Sequence, residues 1–228
     1  MVELFVCNLN IKKMKKICFV VPDGVGIKNY LYSSIISKLS KKKNEIVILH
    51  NISSNAIKNI KNLHGFNVSF KKIPGYEESV KQKFLRELIS LLRIYNNIKL
   101  TKNESLKNNW NPKKKGINYL FYTIIEFLSV IFKNRYNFIL NIEKIYYKSI
   151  DSSSENHKLL LENFKPDVIF NTHQRSLVSI PIISVAKKMK IRNVGAIYSW
   201  DNVPKARLSV KTDEYVVWSE HMKDEMLL

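Results

Sequence analysis

The chain has only two cysteines among its 228 residues, Cys7 and Cys18. Two cysteines cannot form the disulfide framework of a small secreted domain, and neither lies in a CxxC pair or a Cys/His zinc spacing. Residues 1–13 have an early acidic residue, a short apolar core and no small-residue cleavage site, so they do not resemble a secretory signal. These features favour the cytoplasm. We interpret residues 1–14 as an N-terminal extension and leave Met14 open as the native start.

Acidic residues are scarce, with 19 Asp and Glu against 38 Lys and Arg, which gives a formal net charge of +19. Only six of the basic residues are arginine, whereas nucleic-acid readers tend to carry clustered arginines and stacking aromatics. Lys, Asn and Ile are all favoured by A/T-rich codons, so we attribute most of the charge to genome composition and do not expect nucleic-acid binding. Attraction to phosphate-rich partners or to an anionic membrane is the alternative.

Several catalytic motifs are missing from the sequence. It contains no P-loop, no GxSxG, no His pair at i and i+4, no DxD and no EF-hand loop. Gly24 and Gly26 begin a GxGxxG pattern, but the third glycine position is Asn29. The sequence therefore excludes the dinucleotide fingerprint and argues against a typical ATPase or hydrolase, and we expect no metal site.

Short apolar runs alternate with helical patterns along most of the chain, which is 45% hydrophobic. Successive βα units of this kind predict a right-handed parallel sheet. The six predicted strands are Lys16–Val21, Glu45–Leu49, Asn67–Ile73, Val168–Asn171, Val194–Ser199 and Tyr215–Trp218. We predict an α/β fold for residues 15–228, a single Rossmann-like domain whose doubly wound parallel sheet has helices on both faces.

A long region at about 76–150 separates the third and fourth predicted strands, and we interpret it as a helical insertion. Its first helix is predicted over about Glu77–Tyr95, and the polar, lysine-rich stretch at about 96–116 predicts a mobile loop. Ile117–Phe132 then predicts an amphipathic helix that is too short to span a bilayer. Its apolar stripe suits core packing, which we prefer, or contact with a membrane. The stripe comprises Ile117, Leu120, Phe121, Ile124, Ile125, Leu128, Ile131 and Phe132.

Polar residues follow the fourth predicted strand, at the carboxyl edge where open parallel sheets bind ligands. His173 is a candidate proton acceptor there, and Arg175 is a candidate fixed cation for an anionic or polyhydroxyl ligand. The structural alternative is that His173 caps the next helix or satisfies local backbone.

Two further clusters follow the fifth and the first predicted strands. Trp200, Asp201 and Asn202 suit a sugar, which would stack on the indole and bond the polar groups, or else they form an Asx turn beside a core tryptophan. Gly24 and Gly26 form either a tight structural turn or a loop in which backbone N–H groups contact a ligand.

Three stretches of sequence resemble a known family. They are KKICFVVPDGVGIKNYL at 15–31, KPDVIFNTHQR at 165–175 and IYSWDNVPKARLSVKTDEYVVWSEHMKDEM at 197–226. Together they resemble the N-terminal, acceptor-side half of GT-B-fold glycosyltransferases of bacterial surface-carbohydrate biosynthesis. The resemblance covers roughly residues 15–228, with its specific part at 166–226, and the region at about 76–150 matches no family.

The resemblance implies transfer of a sugar from a nucleotide-sugar donor to a glycan or lipid-linked acceptor, usually without a bound metal. In such enzymes the N-terminal domain binds the acceptor and often supplies the general base, and the C-terminal domain binds the nucleotide. By position, His173 is then the base candidate and Asp201 its rival. The implied acceptor-site residues are Gly24, Gly26, Arg175, Trp200 and Asn202.

The family pattern continues with a donor-binding domain of about 150 residues, for which this sequence has no counterpart. We therefore expect either a truncated enzyme or a split enzyme in which a second subunit would supply the donor domain. In either case we expect the chain to be inactive alone and to bind no cofactor itself. We expect it in the cytoplasm, with peripheral contact at the inner face of the membrane left open. The alternative is a non-catalytic Rossmann-like binding or scaffold protein that associates with a partner subunit or an anionic membrane.

Overall fold

The computed structural model describes residues 14–64, 68–150, 154–199 and 210–227. These residues form a six-stranded, all-parallel sheet in the order β3-β2-β1-β4-β5-β6. The strands are β1 (Lys16–Val21), β2 (Glu45–His50), β3 (Val68–Lys72), β4 (Val168–Asn171), β5 (Arg192–Ala196) and β6 (Glu214–Val216). Because helices flank this sheet on both faces, the predicted Rossmann-like α/β fold is confirmed. Of the predicted N-terminal extension, only Met14 is among the described residues.

The helices follow the strands in the order that a doubly wound sheet requires. A π-helical turn, Ile27–Leu31, continues the first short helix, and a 3₁₀ helix, Glu104–Asn109, lies inside the region between β3 and β4. The α-helices are α1 (Gly24–Gly26), α2 (Ser34–Lys41), α3 (Ser54–His64), α4 (Val80–Thr101), α5 (Ile117–Phe132), α6 (Tyr136–Ile150), α7 (Glu155–Phe164), α8 (Ser179–Lys188) and α9 (Glu220–Leu227).

Both faces of the sheet are buried, as is usual for a parallel sheet covered by helices. In β1 the side chains of Cys18 and Val20 join the core beneath α4, α6, α7 and α8. Those of Phe19 and Val21 join the core beneath the π-helical turn, α2 and α3. A continuous apolar strand therefore serves two cores, because successive side chains point to opposite faces.

Helix α4 begins at a capping box that also joins it to α6. The Ser79 hydroxyl accepts a hydrogen bond from the Gln82 backbone N–H at 3.2 Å, and the Gln82 side-chain oxygen accepts one from the Ser79 N–H at 2.8 Å. The Gln82 amide nitrogen also donates to the Ser149 carbonyl at 2.7 Å. This reciprocal cap satisfies orphan N–H groups of the first turn and fixes where the helical region leaves the sheet.

Helix α4 is longer than the sequence predicts. The prediction ended it at Tyr95 and placed a loop at about 96–116, whereas the helix continues to Thr101 and the 3₁₀ helix follows. Ile94, Ile98 and Leu106 are buried together in a small apolar cluster. Burial of these side chains stabilises helical structure in a polar stretch that shows no helical periodicity of its own.

Helix α5 has two apolar faces, whereas the prediction gave it one stripe. Tyr122 and Ile125 are buried against α4 and α6, in line with the preferred core packing. Part of the predicted stripe nevertheless faces outward, because Ile117 is 92% and Leu120 is 64% exposed. None of the helices in the described residues has both the length and the apolarity needed to cross a membrane.

Strand β5 begins two residues earlier and ends three residues earlier than predicted, at Arg192–Ala196 instead of Val194–Ser199. The Asn193 backbone N–H and side-chain amide both donate to an Asp213 carboxylate oxygen, at 3.0 and 2.6 Å. The Asp213 backbone N–H in turn donates to the Asn193 carbonyl at 3.1 Å. These bonds fix the start of β5 beside the segment that enters β6, and they place Tyr198 beyond the strand.

His157 in α7 is buried, with 1% of its surface exposed. Burial lowers its pKa, and the Pro74 carbonyl opposes that shift only in part. The unfolded chain therefore takes up a proton below about pH 6.5 more readily than the folded chain does. The stability that the neutral ring contributes above that pH is lost as the pH falls toward the folded-state pKa.

When the pH is lowered from 7.5 to 5, we expect the free energy of unfolding to fall less in His157→Leu than in the unaltered chain. Urea denaturation at several pH values measures this effect. His221→Leu is the matched control, because the His221 side chain is 83% exposed. An unchanged pH profile in the His157 variant would contradict the role of the buried ring. The free energy of unfolding of the His157 variant should still depend on pH to some extent, because burial also lowers the pKa of His50.

Candidate functional site

The candidate site lies at the carboxyl ends of β1 and β4, where the strand order reverses. From β1 the chain proceeds outward to β2 and β3, and from β4 it proceeds the other way to β5 and β6. Open α/β sheets bind ligands in the crevice that this reversal leaves between the two adjoining loops. Here the loops begin at Pro22, after β1, and at Thr172, after β4. Val20 of β1 is in register with Asn171 of β4, so the two loops start side by side at the same edge of the sheet.

Asp23 contributes a carboxylate to this crevice that the sequence analysis did not select. It is the N-cap of α1, where one carboxylate oxygen accepts a hydrogen bond from the Val25 backbone N–H at 3.0 Å. Its other oxygen contacts Nδ1 of His173. The cap fixes the carboxylate, and the carboxylate in turn fixes the imidazole across the crevice.

His173 makes three contacts within the site, and the first is the contact of its ring with Asp23. Its backbone N–H donates to the Asn171 side-chain oxygen at 3.3 Å, and its ring meets that of Tyr198 edge to face, with centroids 4.7 Å apart. Contact between Nδ1 and a carboxylate assigns the ring proton to Nδ1 and leaves Nε2 as the basic nitrogen. The His173 side chain is 15% exposed, so part of it is accessible to solvent.

The carboxylate of Asp23 stays ionised in this setting. Partial burial alone would raise its pKa, but the hydrogen bond and positive charge of His173 oppose that effect, as do the backbone N–H groups of Val25 and Gly26. The net result is a pKa below the ordinary value for aspartate. An ionised carboxylate can only accept a hydrogen bond, so Asp23 favours a proton on His173 Nδ1.

Gly26 allows the two loops to approach this closely. The Thr172 hydroxyl donates to the Val20 carbonyl at 2.8 Å, which holds Thr172 against the end of β1. A Cβ atom on Gly26 would lie 2.2 Å from that hydroxyl oxygen, whereas one on Gly24 would have no atom within 4 Å. Of the two predicted loop glycines, Gly26 therefore serves packing, and Gly24 adjoins open space.

Gln174, between His173 and Arg175 in the sequence, has a structural role. It is buried, accepts a hydrogen bond from the Asn171 amide at 3.3 Å and donates one to the Val210 carbonyl. Gly195 of β5 leaves room for it, because a Cβ there would lie 2.5 Å from the Gln174 oxygen. Arg175 follows in the same loop and is half-buried.

The structure brings together only part of the predicted site. His173, Arg175 and the two loop glycines lie on adjoining loops, whereas Trp200, Asp201 and Asn202 are outside the described residues. Asp23 and Tyr198 were missed. An acidic residue directly after the first strand was a signal for Asp23, but Tyr198 was assigned to the interior of β5, where a ligand-facing role would not be sought.

The arrangement combines side chains that can exchange a proton with a ligand. A carboxylate, an oriented imidazole and an aromatic ring converge, and such a set serves general acid–base chemistry. Over the described parts of the chain there is no group of three or more His, Cys, Asp or Glu side chains that could hold a metal ion.

Comparison with protein-family models finds no match for this chain, and comparison with curated protein sequences finds none either.

Proposed function

We propose that the chain is the acceptor-binding half of a glycosyltransferase that acts on a cell-surface glycan precursor. The observation that carries this proposal is the contact between Asp23 and His173 at the point where the strand order reverses. The resemblance to GT-B enzymes adds the expectation that the base of the reaction comes from this domain.

In the proposed reaction, Nε2 of His173 takes the proton from an acceptor hydroxyl as its oxygen bonds to the anomeric carbon of the donor sugar. The bond from that carbon to the phosphate oxygen breaks, and the nucleoside diphosphate leaves with the electron pair. Asp23 keeps the ring oriented and stabilises the resulting imidazolium, in the way that a carboxylate supports a general-base histidine.

The acceptor would occupy the space beside Gly24 and the Tyr198 ring. Arg175, Trp200 and Asn202 remain predicted acceptor contacts, and Asp201 remains the rival base. The nucleotide sugar would bind to a second Rossmann-like domain, supplied by another part of the polypeptide or by a partner subunit.

Two experiments test this function. In calorimetric titrations of the chain with uridine diphosphate and UDP-glucose, we expect no binding in the micromolar range, because the donor site belongs to the other domain. Tight uridine-nucleotide binding would contradict the assignment to the acceptor half.

Deletion of the gene is expected to shorten or remove a surface carbohydrate of the host cell. Mass spectrometry of the extracted glycans, with a complemented strain as the control, measures this. An unaltered glycan profile would contradict a role in glycan assembly.

A further inference from the structure

The outward face of α5 is an exposed apolar stripe. Its residues recur at three- and four-residue spacing and are between 41% and 92% exposed. They are Ile117, Leu120, Ile124, Phe127 and Ile131. A helix of this length extends about 24 Å. Single exposed apolar residues are common on protein surfaces, whereas a continuous apolar stripe indicates an interaction surface.

Positive charges flank this stripe at both ends. Lys113 and Lys115 are exposed just before α5, and Lys133 and Arg135 are exposed just after it. The one acidic residue within the helix, Glu126, accepts hydrogen bonds from the Trp110 indole at 2.9 Å and from Lys114. Its charge is therefore engaged by neighbouring side chains, and none of the five stripe residues is acidic.

The positive charge of the chain favours one of two binding partners for the apolar stripe, an anionic membrane, over a second copy of the chain. A second copy of a chain with a formal charge of +19 would bring like charges together, which opposes self-association. An anionic bilayer attracts the flanking lysines, and its interface accepts the apolar side chains between them.

We propose that the outward stripe of α5 docks on the surface of an anionic membrane, with the helix lying in the plane of the interface. The inference stands independently of the proposed function, because it uses residues of the helical region and none of the Asp23–His173 site.

Vesicle sedimentation tests the proposal with the full chain. We expect binding to vesicles of phosphatidylcholine with about 30% phosphatidylglycerol, weakening as salt rises, and little binding to pure phosphatidylcholine. Leu120→Gln with Phe127→Gln should lower the partition coefficient about tenfold or more. Lys113→Gln with Lys115→Gln should lower it by a similar factor at low salt.

Matched control variants distinguish vesicle binding through the α5 stripe from nonspecific electrostatic attraction of the positively charged chain. Leu63→Gln on α3 changes an apolar side chain of similar exposure, 55% against 64% for Leu120. Lys41→Gln with Lys42→Gln removes the same number of charges near the end of α2. Both controls should bind as the unaltered chain does, since α2 and α3 cover the opposite face of the sheet.

Three outcomes would overturn the proposal. The first is absence of binding to anionic vesicles at low salt, and the second is an equal loss of binding in the test and control variants. The third is a dimer in sedimentation velocity that the Leu120/Phe127 variant abolishes while the unaltered chain ignores vesicles, which would assign the stripe to a second copy. Far-ultraviolet circular dichroism confirms that each variant is folded.

Discussion

Replacing His173 with asparagine is expected to lower the rate of sugar transfer by about 10²–10⁴-fold, the usual contribution of a general base. The asparagine amide keeps a donor near Asp23 Oδ2, so the loop retains its local hydrogen bonding while the basic nitrogen is lost. A deletion strain complemented with this variant should show the surface glycans of the deletion itself. Glycan mass spectrometry and transfer assays on cell extracts measure the two effects.

Asp23→Asn tests the second member of the pair. Asparagine is also a good N-cap, so the start of α1 should be preserved. The charge that orients His173 and stabilises its protonated form is removed, and we expect a rate loss on the order of 10²-fold or more.

An exposed histidine provides the control for both variants. His221→Asn should complement the deletion fully, because the His221 side chain is 83% exposed on α9. If His173→Asn complements equally well, His173 is not the base. Failure of Asp201→Asn to complement would then assign the base to the predicted rival Asp201, whereas complementation by the Asp23, His173 and Asp201 variants alike would indicate a non-catalytic scaffold.

The centre of the sheet could be predicted from the sequence because β1, β2 and β4 are largely apolar on both faces. Such runs stand out against a polar, lysine-rich background, and β1 was located to the residue. Strand β5 was displaced because its start depends on hydrogen bonds between Asn193 and Asp213, which are 20 residues apart. A hydrogen bond between residues so far apart in the sequence cannot be predicted from the local pattern of apolar residues.

The site could be predicted only in part, for a similar reason. His173 was selected because it follows a buried strand, but its partner Asp23 lies 150 residues earlier. Their contact follows from the adjacency of β1 and β4, which strand prediction alone does not fix. The sequence also does not show which face of α5 is buried. Apolar residues occupy most of the circumference of this helix, and only its packing against α4 distinguishes the buried face from the exposed one.

Gly26→Ala is expected to lower the free energy of unfolding by about 2 kcal/mol, which is typical of an added methyl group in a closely packed site. The new Cβ would lie 2.2 Å from the Thr172 hydroxyl oxygen and 2.9 Å from a methyl carbon of Val21. One of the two loops must shift, and the Asp23–His173 contact depends on their separation. Urea denaturation measures the loss of stability, and the glycan assay measures the accompanying loss of function.

Gly24→Ala is the matched control, since its Cβ would meet no atom within 4 Å. Alanine also restricts the unfolded chain, so this variant should match or exceed the stability of the unaltered protein by up to about 1 kcal/mol. In a Thr172→Ala background, Gly26→Ala should cost about 1 kcal/mol less, because the nearest clashing atom is gone. Equal unfolding free energies for the two glycine variants would contradict the close approach of the β1 and β4 loops, on which the arrangement of the site depends.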